Sequence, residues 1–390
     1  MPNGLLNKES YLHEVSKRPF RLHHLLLLLE TWEKQGGPLD NFLRNYFRLK
    51  KAIGSKDRKW IAEKVYEWVR WQLLVDSLIQ GEKTWEKRIE TLDQLKDSDL
   101  QKLPLSLQLS CPQDLFNLLV KSYGEEEASK FCKISNERAP VTLRVNTLKT
   151  TRAKLMDEWK KDNYVFSPCQ YKEEALHVQS NLNFFALPEF KAGHFELQDE
   201  GSQCIADLVK ASANDWVLDY CAGAGGKSLA IAAKMQNKGQ LFLHDVRKFA
   251  LQEAKKRMSR AGVQNAQFLL NDDLKKKRVL KHKMQWVLVD APCTGTGTLR
   301  RNPDLKSRFS LKGLEELRDL QYRIFSEALD FVKTSGFIVY ATCSVLKEEN
   351  QEQAARFEKD FVLKKVDEFF SLPQSGEMDG FYGVVFKKLN

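Results

Sequence analysis

The second half of the sequence predicts a doubly wound α/β fold, and three observations carry that expectation. Short apolar, strand-like runs alternate with helix-like ones from Gly193 onward. A glycine-rich turn, Cys221 to Lys227, follows the first of these strands. The strands also end in polar, chemistry-bearing residues, and in an open parallel sheet the carboxyl ends of the strands are where ligands bind.

Before that region the pattern differs. Residues 22–32, 39–49 and 60–79 carry apolar side chains at three- and four-residue spacing, which reads as three helices. Gly36-Gly37-Pro38 and Gly54-Ser55-Lys56-Asp57 separate them, with Ser55 or Asp57 expected to cap the third. A polar, proline-containing stretch over 93–112 reads as a linker. Helices over 115–123 and 125–136, a strand over 141–145 and a helix over 152–162 suggest a small α+β module. The expected division is therefore a helical domain, 1–100, an α+β subdomain, 112–192, and an α/β domain, 193–390. Within the last, strands are expected over 217–219, 240–244, 267–270, 286–289, 337–340 and 383–387. Helices are expected over 228–235, 248–261 and 311–332.

The chain has 390 residues, 62 Lys+Arg against 52 Asp+Glu and a net charge of +10, a balance that suits a polyanionic partner. Its distribution is more telling. Arg44, Arg48, Lys50, Lys51, Lys56, Arg58, Lys59, Lys64 and Arg70 face only Asp57, Glu63 and Glu67 in the same stretch. Lys275-Lys276-Lys277-Arg278, Lys281 and Lys283 form a second cluster. A solvated helix face explains either alone; with Arg300-Arg301 they suggest a nucleic-acid path. No apolar run approaches the ~20 residues of a membrane span. No secretory leader is read, so a soluble, cytoplasmic monomer without membrane contact is expected. Seven scattered cysteines contain no C-x-x-C pair, which disfavours both a metal site and a disulfide framework.

The turn Asp219-Tyr220-Cys221-Ala222-Gly223-Ala224-Gly225-Gly226-Lys227-Ser228 superficially suggests a P-loop. That loop needs glycine six residues before its lysine, where Cys221 stands, and Asp219 would put a carboxylate near phosphates. ATP is disfavoured. Small residues and a helix N-terminus suit a cofactor bearing a carboxylate instead. Asp245, after the next strand, can grip ribose hydroxyls, and Asp272, after the third, can accept from an adenine amine. Carboxylate, ribose and adenine together describe S-adenosyl-L-methionine.

Asp290-Ala291-Pro292-Cys293 and Tyr340-Ala341-Thr342-Cys343-Ser344 each close a strand-like run. A single cysteine there is most often a small buried hydrophobe. Two, each in a polar turn, propose two thiols and a carboxylate around one pocket. Attack on a pyrimidine ring is a chemistry that needs such a trio.

These segments resemble the RNA cytosine-5 methyltransferase family of the RsmB/Sun/NOP type, over roughly residue 140 to the C-terminus. The likeness rests on Arg144-Val145-Asn146, Gln198-Asp199-Glu200-Gly201-Ser202-Gln203, the runs 290–304 and 340–350, and Asp379-Gly380-Phe381-Tyr382. The first hundred residues, through 54–70, are similar to the family's helical NusB-like RNA-binding domain. The resemblance implies a Rossmann-like class I methyltransferase domain preceded by a small α+β RNA-binding subdomain. It implies methylation of carbon 5 of a cytosine in RNA, first in 16S ribosomal RNA and alternatively in transfer RNA. It assigns Cys343 as nucleophile and Cys293 to product release. Asp290 would serve ring nitrogen 3 and Lys227 the base or its phosphate. Arg144, Asn146, Arg300 and Arg301 would meet RNA, and Lys227 or Arg300 would favour the Cys343 thiolate. Asp219, Cys221, Ala222, Gly223, Ala224, Gly225, Gly226, Lys227, Asp245, Asp272 and Asp290 would line the cofactor. Two positions depart from the family: Ala224 replaces a proline, loosening the turn, and Thr294 replaces a serine but keeps the hydroxyl.

DNA cytosine-5 methyltransferases place the nucleophile in the Pro-Cys motif and lack the Thr-Cys one, so having both motifs points to RNA. Amino-methyltransferases use an Asp/Asn-Pro-Pro-aromatic motif where this chain has Asp290-Ala291-Pro292-Cys293. A non-catalytic assembly factor on the same scaffold is a further alternative, and the intact Lys227, Asp290, Cys293 and Cys343 count against it.

Overall fold

A computed structural model describes residues 20–96 and 100–389. The first nineteen residues of the expected helical domain lie outside this range. The chain forms two compact units. One takes the chain to Arg138 together with Leu299–Leu311; the other takes Ala139–Thr298 with the chain from Lys312 on.

The first unit is helical. Helices Phe20–Gln35, Leu39–Leu49, Ser55–Leu78 and Trp85–Gln94 bury one stripe each, with Leu25, Leu29, Leu43, Ile61, Val65 and Trp85 in a shared core. The third helix begins at Ser55, and neither expected side chain caps it: Gly54 holds the N-cap position in extended backbone. Asp57 instead lies in the first turn, where the helix dipole favours a carboxylate. Helices Gln113–Tyr123 and Glu125–Ser135, which the sequence pattern groups with the α+β module, fall in the first unit. Side-chain bonds tie them there: Asn136 Nδ2 donates to Leu109 O at 2.8 Å, and the buried Lys306 donates to Asn136 Oδ1 and to Arg70 O.

The second unit holds two sheets. The smaller is antiparallel, β1 (Val141–Val145), β2 (Phe166–Pro168), β3 (Ala175–Val178) and β4 (Phe195–Leu197), in the order β2-β3-β1-β4. Trp159, Leu155 and Phe195 fill its core. The larger has seven strands: β5 (Trp216–Asp219), β6 (Gln240–His244), β7 (Ala266–Leu269), β8 (Met284–Asp290), β9 (Val332–Thr342), β10 (Leu363–Ser371) and β11 (Phe381–Lys388). Their order is β10-β11-β9-β8-β5-β6-β7, with β5 to β9 parallel and β10 and β11 antiparallel. Apolar cores cover both faces, which is why the parallel strands read as continuous apolar runs.

Sequence reasoning misses β10 and the helix Gln351–Asp360 before it. β10 is an edge strand, exposed over most of its first six residues, so it lacks the alternation that marks a half-buried strand. The chain runs outward from β5 to β6 and β7, then returns to β8 and β9 on the other side. The β5/β8 boundary is therefore the topological switch point, where a doubly wound sheet opens a crevice.

Candidate active site at the switch point

Four parallel strands deliver the predicted residues to this crevice. Asp219 ends β5, Asp245 follows β6, Asp290 ends β8, and Cys343 follows β9.

The turn after β5 is built for close approach. Gly223 and Gly225 have φ of 53° and 77°, a backbone region that glycine enters without strain. A Cβ at Gly225 would stand 3.1 Å from Met258 Cε and 3.2 Å from Ala254 Cβ. Asp219 is buried; its Oδ2 accepts from Ser228 Oγ at 2.5 Å, while Oδ1 has no hydrogen-bond partner. Burial pushes its carboxyl up to about 7. Burial also pushes the Cys221 thiol up, with Asp219 adding to the effect. Asp245 is fully engaged: Gly223 N donates to it at 2.8 Å, and Arg247 donates through N, Nε and Nη2 at 2.9, 3.0 and 3.0 Å. Burial opposes its charge, but these bonds outweigh burial and hold the carboxyl below its usual range. Asp272 is exposed beyond β7. Val246, beside Asp245, is an exposed apolar side chain at 71 %. Sequence reasoning misses it, because nothing in the sequence separates it from a core valine.

Across the switch point, Lys227 Nζ lies 2.6 Å from Asp290 Oδ2 and 5.9 Å from the centre of the Phe381 ring. Burial works against the ammonium, yet Asp290 more than compensates and the lysine titrates above its ordinary range. Cys293 and Cys343, both half-buried, bring their Sγ atoms to 3.5 Å. The hydrogen bond to Cys343 and then burial push the Cys293 thiol well up.

The turns bearing the two thiols are sewn together by buried polar groups. Thr296 Oγ1 and Ser344 Oγ are 3.0 Å apart, Thr342 Oγ1 donates to Asn350 Oδ1 at 2.6 Å, and Asn350 Nδ2 donates to Ser344 O at 2.9 Å. Glu349 accepts from Thr294, and Gln321 donates to Glu349. In the sequence the 340–350 run is marked by its cysteine. Glu349 and Gln321 carry no such mark, because a carboxylate or amide in a polar stretch gives no sign of burial.

Of the four residues expected to meet RNA, three are buried. Arg144 is buried; its guanidinium donates to Gly226 O at 3.0 Å and to Gln198 Oε1. Asn146 is buried too, and donates to Gly193 O at 2.8 Å and to Ala261 O at 2.9 Å. Both side chains are engaged by neighbouring protein groups. Arg300 is buried in the first unit, and its carbonyl accepts from Arg70 Nη2 at 2.9 Å; Arg301 is half-buried in the same unit. Within the second unit, Lys227 is a cation that interacts with Cys343. Cys169, His177 and Glu200 converge with their ligand atoms within 4.8 Å of one another. Glu200 Oε1 is committed to the N–H groups of Tyr171 and Lys172, at 2.7 and 2.8 Å.

Among the described residues, no helix is long and apolar enough to cross a membrane. The model of the 16S rRNA methyltransferase RsmB/F family matches residues 206–386, and that of the RsmF/B-like ferredoxin-like domain matches residues 111–184. A probable ribosomal RNA small subunit methyltransferase B of Bacillus subtilis is 31 % identical over 269 residues, covering 67 % of this chain and 60 % of its own length. A 28S rRNA (cytosine-C(5))-methyltransferase of mouse is 30 % identical over 325 residues, 75 % of this chain and 40 % of its own. The chain thus spans about three fifths of the bacterial relative's length and two fifths of the mouse relative's. A methyltransferase homologue from Pyrococcus horikoshii superposes with a TM-score of 0.63 at 24 % identity, over 76 % of this chain and all of that one, and so shares the fold. With the strand order, the glycine turn and the paired Pro-Cys and Thr-Cys turns in place, the chain carries a methyltransferase domain of the RsmB/F family, preceded by that family's ferredoxin-like domain.

Proposed function

We propose that this protein methylates carbon 5 of a cytosine in RNA, using S-adenosylmethionine and a covalent cysteine adduct. The substrate is the RNA of the small ribosomal subunit. The observation that carries the reading is the 3.5 Å approach of Cys293 and Cys343 from two strand-end turns at the switch point. The relatives named as rRNA methyltransferases support the substrate class.

The residues of the crevice suit the cofactor. The glycine turn leaves backbone accessible, the unpartnered Asp219 Oδ1 can accept from an ammonium, and the exposed Val246 offers an apolar surface to a purine. A ribose diol would compete with the Arg247 guanidinium for Asp245. When bound, S-adenosylmethionine supplies an electrophilic methyl group.

Carbon 5 of cytosine is a weak nucleophile until a thiolate adds to carbon 6. In the proposed sequence the Cys343 thiolate forms the bond to carbon 6, and a proton reaches nitrogen 3 from the Lys227–Asp290 pair. The Lys227 ammonium offsets the thiolate charge. Once carbon 5 carries the methyl group and Cys343 is bonded to carbon 6, the hydrogen bond that held the Cys293 proton is gone. Cys293 passes that proton to the Lys227–Asp290 pair, which gave its own to nitrogen 3, and as thiolate takes the carbon 5 proton, while nitrogen 3 releases its proton to solvent. The electrons of that C–H bond restore the 5,6 double bond as the carbon 6–sulfur bond breaks, freeing Cys343. General acid–base help of this kind contributes ~10²–10⁴-fold. The target base must leave any stack to reach the thiols. The first hundred residues serve as the RNA-binding domain in this reading.

The test uses wild type, Cys293→Ala and Cys343→Ala with tritiated S-adenosylmethionine and either small-subunit ribosomal RNA or transfer RNA. Expected is label in the ribosomal RNA with wild type, an RNA–protein adduct stable on denaturing gels with Cys293→Ala, and neither with Cys343→Ala. An adduct from Cys343→Ala would exchange the two thiols, and label only in transfer RNA would move the substrate. Cofactor binding without label in either RNA would favour an assembly factor.

A further inference from the structure

The proposed reaction gives two thiols opposite tasks, although both leave similar strand-end turns and stand 3.5 Å apart. Their surroundings differ. Cys343 interacts electrostatically with the Lys227 ammonium. Behind Cys293 lies a buried carboxylate that the reaction scheme leaves unused, Glu349, with 0 % exposure.

Glu349 is bound by neutral donors. Its Oε1 accepts from Thr294 N at 2.9 Å, and its Oε2 accepts from Thr294 Oγ1 at 2.5 Å. Gln321, equally buried, donates through Nε2 to Glu349 Oε1 at 2.9 Å and to Pro292 O at 3.1 Å. Gln353 Nε2 donates in turn to Gln321 Oε1 at 3.1 Å, which sets the orientation of that amide. The residues immediately before and after Cys293 are therefore both tied to one Glu349–Gln321 pair. Proline at 292 has no N–H of its own, so its carbonyl is the handle on that side.

Keeping a carboxylate out of water is costly, and burial does push Glu349 upward. A group held at that cost, with both carboxylate oxygens bonded to the residue after Cys293 and with Ser344 beside Cys343 as a further partner, has a positional task. We propose that Glu349, acting through Thr294 and with Gln321, is a positioning residue that holds Cys293 where it takes the carbon 5 proton. This rests on the reading of Cys293 given above. Addition at Cys343 and methyl transfer do not depend on that hold; release of the product does. Misplacing a reacting group by ~1 Å costs on the order of 10²-fold.

Glu349→Gln and Thr294→Val are the variants to make. The first removes the charge and one acceptor oxygen; the second removes the hydroxyl and keeps the shape. The readouts are single-turnover methyl transfer, steady-state turnover, adduct on denaturing gels, and cofactor affinity by calorimetry. Expected is first-turnover transfer within a few-fold of wild type, steady-state turnover down by about 10²-fold, and accumulated RNA adduct. Cofactor affinity should stay at the wild-type value. Thr294→Ser, which retains the hydroxyl, should restore release relative to Thr294→Val. Wild-type turnover without adduct in both variants overturns the proposal. So does joint loss of first-turnover transfer and adduct in protein that still binds cofactor, because the network would then serve Cys343 or the fold at large. Should Glu349→Gln fail to fold, Thr294→Val decides. The parent reading fails separately: in that case Cys293→Ala itself gives no adduct while wild type methylates.

Discussion

At the scale of single residues, the site depends on backbone closeness as much as on side chains. Gly297 N donates to Cys343 O at 2.9 Å, and Gly297 O accepts from Gly380 N at 2.9 Å, so one residue joins three loops. A Cβ there would stand 2.1 Å from Gly380 O and 2.9 Å from Cys343 O, both backbone atoms that cannot swing aside. We expect Gly297→Ala to cost ~1–3 kcal/mol of stability, in the range of overpacking, and to lower adduct formation in a Cys293→Ala background. Denaturant titration checks the first and denaturing gels the second; wild-type values in both would show that the loops separate without cost. The motif residues are legible because their spacing is unusual: Pro292-Cys293 and Thr342-Cys343 each follow an apolar run. Arg144 misleads because a charge in sequence looks like surface. Between Leu143 and Val145, on a strand buried on both faces, the charge goes instead into bracing Gln198 and Gly226.

At the scale of elements, the parallel strands are legible through their apolar runs and β10 is not, since an exposed edge strand needs no such pattern. The short helix Leu305–Arg308 shows a second blind spot. It begins beyond a turn that belongs to the second unit, yet it is part of the first. Its Lys306 is buried, and burial depresses the ammonium to about 8 from an ordinary 10.5; the thiols of Cys111 and Cys132 oppose the shift. Between those two values the unfolded chain holds the proton that the folded chain has lost. The lysine's contribution to stability therefore rises with pH through that window and is flat below it. We expect wild type to gain stability relative to Lys306→Met as the pH is raised from about 8 to about 10.5. Paired denaturant titrations at several pH values measure this. A constant difference across the window would mean that Lys306 titrates in the fold as it does in water.

At the scale of the whole molecule, the +10 net charge is split between the units. The first exposes Arg44, Arg48, Lys50 and Lys51 around the end of the helix Leu39–Leu49; the second exposes Lys275, Arg278, Lys281 and Lys283. Pattern alone does not decide which cluster meets RNA, and the buried Arg144, Asn146 and Arg300 are already committed to protein or enclosed by it. Counterion release offers a way to count neutralised phosphates: each one on a single strand contributes ~0.7 to the slope of log affinity against log salt. If the helical unit carries the RNA, as proposed, replacing Arg44, Arg48, Lys50 and Lys51 with alanine should weaken binding. The slope should flatten by roughly 0.7 for every phosphate left without its cation. The corresponding replacement at Lys275, Arg278, Lys281 and Lys283 should change the slope less. Fluorescence anisotropy between ~50 and ~200 mM salt covers the range where such effects are large. An unchanged slope in the first variant with a flattened slope in the second would transfer the RNA path to the methyltransferase unit. Because all eight side chains are exposed, neither variant should disturb the crevice. Affinity for S-adenosylmethionine, measured alongside, therefore separates a weakened RNA surface from a damaged fold.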